Sequence, residues 1–186
     1  MAQYNGYVSI PHSTYDEFRS ATLGNGYNAD YNPPYQSWGN QCWDYCAELW
    51  HQYGLFLRTK PSGNGGAADC WLVSKSYNAK SPFIAVEGKE NIKRGDVIVW
   101  NRSNTSSTGH IAIADEDYRG NRIWTIGQIP SKHGQNGAVS RDEWSLNSFL
   151  GVFRNQQWQV DPPSPHKKER KDGFPFVIAK HFWWNN

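Results

Sequence analysis

A chain of 186 residues has room for one domain, or one domain and a tail, with a real core. Its net charge of +2 is too small to argue for nucleic acid, and no apolar run approaches the ~20 residues of a membrane-spanning helix. Three cysteines, an odd and small number, do not make a disulfide-stapled scaffold.

Ser13 to Leu23 reads as a first helix, with Ser13 as N-cap, acidic residues in the first turn, and Tyr15 and Phe18 on one apolar side. It stops at Gly24-Asn25-Gly26, and a loop rich in Gly, Asn and Pro runs on to Asn40. A second helix is expected from near Gln41 to Gly54, because Cys42, Tyr45, Cys46, Leu49 and Tyr53 recur at helical spacing. A loop then enters a short helix around Ala67 to Ser76. From Ile92 the pattern becomes strand-like. GDVIVW (Gly95 to Trp100) and HIAIAD (His110 to Asp115) form a hairpin with a long polar loop. NRIWTIGQI (Asn121 to Ile129) is a third strand, AVSRDEW adds a strand edge, and FLGVFR (Phe149 to Arg154) closes the set. Helices first and an antiparallel sheet afterwards indicate an α+β domain over residues 1–158. Residues 159–186 read as a Pro-rich, then basic linker ending in the aromatic tail FPFVIAKHFWWNN.

Three features bear on chemistry. The chain holds 10 Trp, 10 Tyr and 8 Phe, more rings than a small core hides, and exposed Trp and Tyr faces suit sugars and extended peptides. Cys42 falls in the first turn of a helix, where free N–H groups and the helix dipole favour a thiolate, lower its pKa, and can hold an oxyanion. His110 opens a strand directly after a glycine, in TGHIAIA, where an imidazole can face the start of a helix packed on the sheet.

GNQCWDYCAELW, followed by GDVIVW and then GHIAIA, resembles the CHAP family of cysteine, histidine-dependent amidohydrolases/peptidases, over roughly residues 13–154. SFLGVFR resembles the end of that module. The resemblance implies a papain-like fold, N-terminal helices packed on an antiparallel sheet, and is strongest to modules of bacteriophage endolysins and tail-associated lysins that cut peptidoglycan. It implies Cys42 as nucleophile and His110 as general base, passing through a thioester. By the same analogy Gln41 is an oxyanion donor, with a helix-cap contact as the alternative. Many relatives place a glutamate where Gly127 stands here. Gln128 is the nearest polar replacement, its carbonyl accepting the His110 N–H; Asn136 is the other candidate, and ordinary strand exposure is the plain reading of Gln128.

GNGYNADYN offers the oxygens of Asn25, Asn28, Asp30 and Asn32, and Asp44 lies just past Cys42. Resemblance to calcium-binding lysins implies a structural calcium ion on Asn28, Asp30, Asn32 and Asp44, against an Asx-turn loop with Asp44 capping the helix. No cofactor is needed for the chemistry. Zinc is not supported, since Cys42 and Cys46 have neither a CxxC pair nor an HExxH motif beside them. His12, His51, His133, His166 and His181 read as structural or surface residues.

The expected function is therefore a peptidoglycan hydrolase cutting a peptide or amide bond of the bacterial wall. The N-terminus MAQYNGYVSIPHSTYDEF has neither a basic leader nor an apolar stretch, so synthesis in a host cytoplasm and delivery by a holin or the virion are expected. The tail is either a strap on the domain or an element joining another lysin domain, subunit or virion component. Two other functions stay open: a non-catalytic wall-binding or tail-structural module on the same scaffold, and a cysteine amidase acting outside the wall.

Overall fold

VIVW is apolar at every position and HIAIA at every position after its histidine, so a sheet built from them has to be covered on both faces. The computed structural model describes residues 11–29, 39–59, 65–103, 106–129 and 137–158. Within them lie helices α1 (Tyr15–Thr22), α2 (Cys42–His51) and α3 (Asp69–Leu72), the last running into a π-helical turn over Ser74–Asn78. Strands β1 (Phe83–Val86), β2 (Val97–Trp100), β3 (His110–Ala114), β4 (Arg122–Gly127), β5 (Ser140–Ser145) and β6 (Phe149–Asn155) follow. They form one antiparallel sheet in the order β1-β6-β2-β3-β4-β5. The α+β class expected from the sequence is the class observed. β1 is an addition. FIAV is short, and only its pairing with β6, from Phe83 opposite Asn155 to Val86 opposite Val152, makes it a strand.

Strand alternation sorts the core into two layers. Val97, Val99, Ile111, Ile113 and Phe153 face α2, whose Tyr45, Cys46, Leu49 and Trp50 are fully buried against them. Trp50 stacks on Phe83 with ring centroids 4.0 Å apart and meets Phe153 edge-on at 5.3 Å. On the other side Ile98, Trp100, Ala112, Ile123 and Val152 form a second cluster, packed by Trp144 and Phe149. Each fully buried large side chain contributes roughly 1.5–3 kcal/mol over leaving it in water. α2 lies across β3 and β4, so its first turn is fixed against the start of the hairpin.

α1 begins one residue later than expected. Thr14, not Ser13, is the N-cap: its Oγ1 accepts the Glu17 N–H at 3.1 Å, while the Ser13 N–H donates to the Glu17 carboxylate at 2.9 Å. Asp115, just past β3, then anchors α1, accepting from Arg19 Nε at 2.7 Å and the Tyr15 hydroxyl at 2.9 Å. Trp158 returns to the same place, its indole N–H donating to the His12 carbonyl at 3.2 Å and its ring 5.6 Å from both Tyr15 and Phe18.

Candidate active site

Gly109 sets the histidine. Its φ of +77° is a conformation side chains rarely adopt, and a Cβ there would come within 2.5 Å of the Trp100 carbonyl oxygen and 2.7 Å of the Ala68 Cβ. The chain can turn into β3 at this point only without a side chain, and His110 becomes the first residue of the strand, opposite Trp100. The imidazole stacks on Trp144, ring centroids 4.1 Å apart and planes 28° apart, with Trp100 at 5.4 Å. Both indoles belong to the layer opposite α2. Sequence reasoning missed Trp144, because only cross-strand register carries β5 to the histidine.

Cys42 is the first residue of α2, as expected. A reciprocal capping box holds the helix start: the Gln41 N–H donates to Asp44 Oδ2 at 2.7 Å, and the Gln41 side chain accepts the Asp44 N–H. The cap reading of Gln41 is thus seen directly. The sulfur lies against the backbone N–H of Ile111, the residue after His110, and against the N–H groups of Trp43 and Cys42 itself. So α2 and β3 bring the expected nucleophile and the residue next to the expected base to one end of the sheet. The thiol is not acidified. Burial pushes it up to about 11; the nearby N–H groups act the other way, and the Asp44 carboxylate adds to the rise. The lowered pKa argued from the helix start is corrected here. Helix-terminus effects are worth about 0.3–1 kcal/mol, and for the half-buried Cys42 the opposing effect of desolvation is the larger of the two. Cys46 and Cys70 are also driven up by burial and are core residues.

Gln128 does not orient His110. It is fully buried, its Oε1 accepts the Tyr27 N–H at 2.6 Å, and its Nε2 donates to the carbonyls of Tyr27 and Gln41, both at 2.9 Å. Those partners are on the α2 side of the sheet, whereas the imidazole is on the other. The pleat explains this: neighbours in a strand point to opposite faces. A Cβ on Gly127 would meet the Ala112 Cβ at 3.2 Å, on the layer that holds His110. The position where the resemblance implies an acid thus lies on the Ala112 side of the sheet, and this chain leaves it without a side chain. Asn136 lies outside the described residues.

Of the four expected calcium ligands, Asp30 and Asn32 lie outside the described residues. Asn28 is buried, and Asp44 accepts the Ala29 N–H at 2.8 Å in addition to the Gln41 N–H. These two bonds make Asp44 the helix cap, the alternative to the calcium ligand expected of it. Among the described residues no group of three or more His, Cys, Asp or Glu could hold a metal ion.

An antiparallel sheet with a cysteine-headed helix and a histidine-headed strand at one end is an α+β module of the cysteine–histidine class. Residues 27–129 match the CHAP domain, and the chain belongs to that family. It is 32% identical over 133 residues to a D-alanyl-L-alanine endopeptidase of Streptococcus phage B30, an alignment covering 69% of this chain and 27% of that protein. The chain thus spans about a quarter of that relative's length. Its fold is similar to the crystal structure of wild-type endolysin LysIME-EF1, with a TM-score of 0.58 at 22% identity, covering 80% of this chain and 67% of that one.

Proposed function

We propose that this chain is a bacteriophage-type peptidoglycan hydrolase that cuts a peptide or amide bond of the cell wall through Cys42. The observation that carries the reading is the Cys42 sulfur at the head of α2 against the Ile111 N–H, one residue from His110, inside a CHAP match.

The resting thiol keeps its proton at neutral pH, since it is pushed up to about 11. In the proposed reaction the His110 imidazole leaves its stack on Trp144 for the α2 side of the sheet and takes that proton, and the sulfur attacks the substrate carbonyl carbon. Backbone N–H groups at the first turn of α2 meet the oxyanion; the Gln41 amide adds a donor, its carbonyl end being held by the Asp44 N–H. His110 returns the proton to the leaving nitrogen, the C–N bond breaks, and a thioester remains. Water, deprotonated by His110, then adds to the thioester, the C–S bond breaks, and a carboxylic acid leaves. Position 127 has no side chain, and stacking on Trp144 and Trp100 holds the resting imidazole on the face opposite the sulfur, so the proposed proton transfer needs this stack to open.

The name of the B30 relative favours the endopeptidase over the N-acetylmuramoyl-L-alanine amidase form of the reaction. Mass spectrometry of digested wall decides, because the new amino terminus identifies the bond. Delivery to the wall by a holin or the virion belongs to the same proposal. A calcium ion between Asp44 and the loop before Cys42 would be structural, bracing the loop with no part in proton or acyl transfer; a chelator that leaves the melting temperature unchanged removes it.

The deciding test is clearing of purified peptidoglycan. Wild type is expected to clear it, and Cys42→Ala to be slower by about 10³-fold or more. A wild type that binds wall without clearing it would support the non-catalytic module instead, a reading favoured by the raised thiol and the bare Gly127.

A further inference from the structure

We propose that the groove lined by Trp43, Phe56, Leu57, Arg58 and Thr59 is a subsite for a free carboxylate on the substrate peptide, with Arg58 as the residue that reads it. The proposal rests on the hydrolase reading above and adds to it a preference for acidic over amidated peptide.

The groove has a volume of about 400 Å³ and includes Trp43, which follows Cys42 in the first turn of α2. Its floor is fixed by the Trp43 indole N–H, which donates to the Leu57 carbonyl at 3.1 Å. Phe56, 58% exposed, gives it an uncovered aromatic face. Arg58 is set more firmly than an exposed residue usually is. Its N–H donates to Asn78 Oδ1 at 2.7 Å and its carbonyl accepts from Asn78 Nδ2 at 2.8 Å, while the same Nδ2 reaches the Cys70 carbonyl at 2.7 Å. Asn78 is fully buried, so a core amide holds this stretch as a strand partner would. The guanidinium lies over the Tyr77 ring, 5.2 Å from its centroid.

Charge supplies the occupant. Arg19, Arg94, Arg102, Arg119, Arg122, Arg141 and Arg154 are each paired with an aspartate or glutamate. Among the described arginines, Arg58 alone has no carboxylate partner. A planar cation on a pinned backbone, at the rim of an aromatic groove, suits a planar anion that arrives with the substrate. Wall stem peptides carry such groups as free carboxylates, which the cell can amidate.

The test measures binding apart from turnover. Cys42→Ala in the full chain is titrated with a soluble muropeptide bearing the free carboxylate and with its amide. The acid should bind about tenfold more tightly. Adding Arg58→Gln, which leaves the backbone clamp in place, should remove that difference, and Arg58→Lys should keep part of it. Equal affinity for acid and amide overturns the proposal. So does an Arg58→Gln loss that is the same for both, undetectable binding of either, or competition by glycerol phosphate as strong as by the acid. Wild type that discriminates acid from amide yet never clears wall keeps this subsite and removes the hydrolase; clearing with no discrimination does the reverse.

Discussion

At Cys42 two effects of opposite sign meet, and burial wins over the helix start. The resting protein is therefore expected to react slowly with iodoacetamide at neutral pH, with a rate that climbs through pH 9 toward about 11. Following the modified peptide by mass spectrometry checks this, since Cys46 and Cys70 are fully buried and do not compete. A rate that levels off below pH 8 would mean an activated thiolate. The placement of Cys42 at a helix start and of His110 at a strand start is legible because both are local patterns. That of Trp144 and Gln128 is not. Their roles depend on register, Ile113 opposite Ile126, which fixes the face of every later β4 residue. Asp44 and Gln41 were legible as capping residues, because N-cap and N3 are neighbours in sequence as well as space.

Among the elements, the turn into β3 is the most constrained. Gly109→Ala is expected to destabilise the fold by about 2 kcal/mol or more, since it combines a positive φ with a contact that the Trp100 carbonyl cannot relieve. Urea unfolding gives the cost, and a loss of clearing larger than the unfolded fraction explains would show that His110 has moved as well. Gly151 has the opposite task, making room for a ring: a Cβ there would overlap Trp71, which packs beside Phe153 at 5.5 Å. The helices and the central strands are readable from periodicity, and their bounds shift by up to four residues, as local hydrogen bonding at their ends dictates. β1 was not readable because four residues carry too little alternation to tell a strand from a loop.

Over the whole molecule, buried neutral groups set the response to alkali. Tyr15, Tyr45, Cys46 and Cys70 are all pushed above their ordinary values, first of all by burial. The unfolded chain releases these protons first, so their contribution is complete below about pH 8 and is lost as pH rises past the ordinary Cys and Tyr values of about 8.5 and 10. Chemical denaturation at pH 8 and 10.5 should show the drop; equal stability at both would contradict it. Asp115 works in the other direction. Burial acts to raise its pKa, but Arg19, Arg141 and the Tyr15 hydroxyl outweigh that and hold the carboxyl below the usual range. What it contributes is present at neutral pH and fades in acid, as pH falls through the lowered value.

The Gln128 amide fastens β4 to the Tyr27 backbone and to the residue that starts α2. The Cys42 sulfur is thus positioned in part by a residue just past β4 that takes no part in the proposed reaction. Warming that loosened this one amide would spoil the aim while both core layers stayed packed. Lysis should consequently fail at a lower temperature than the fold does.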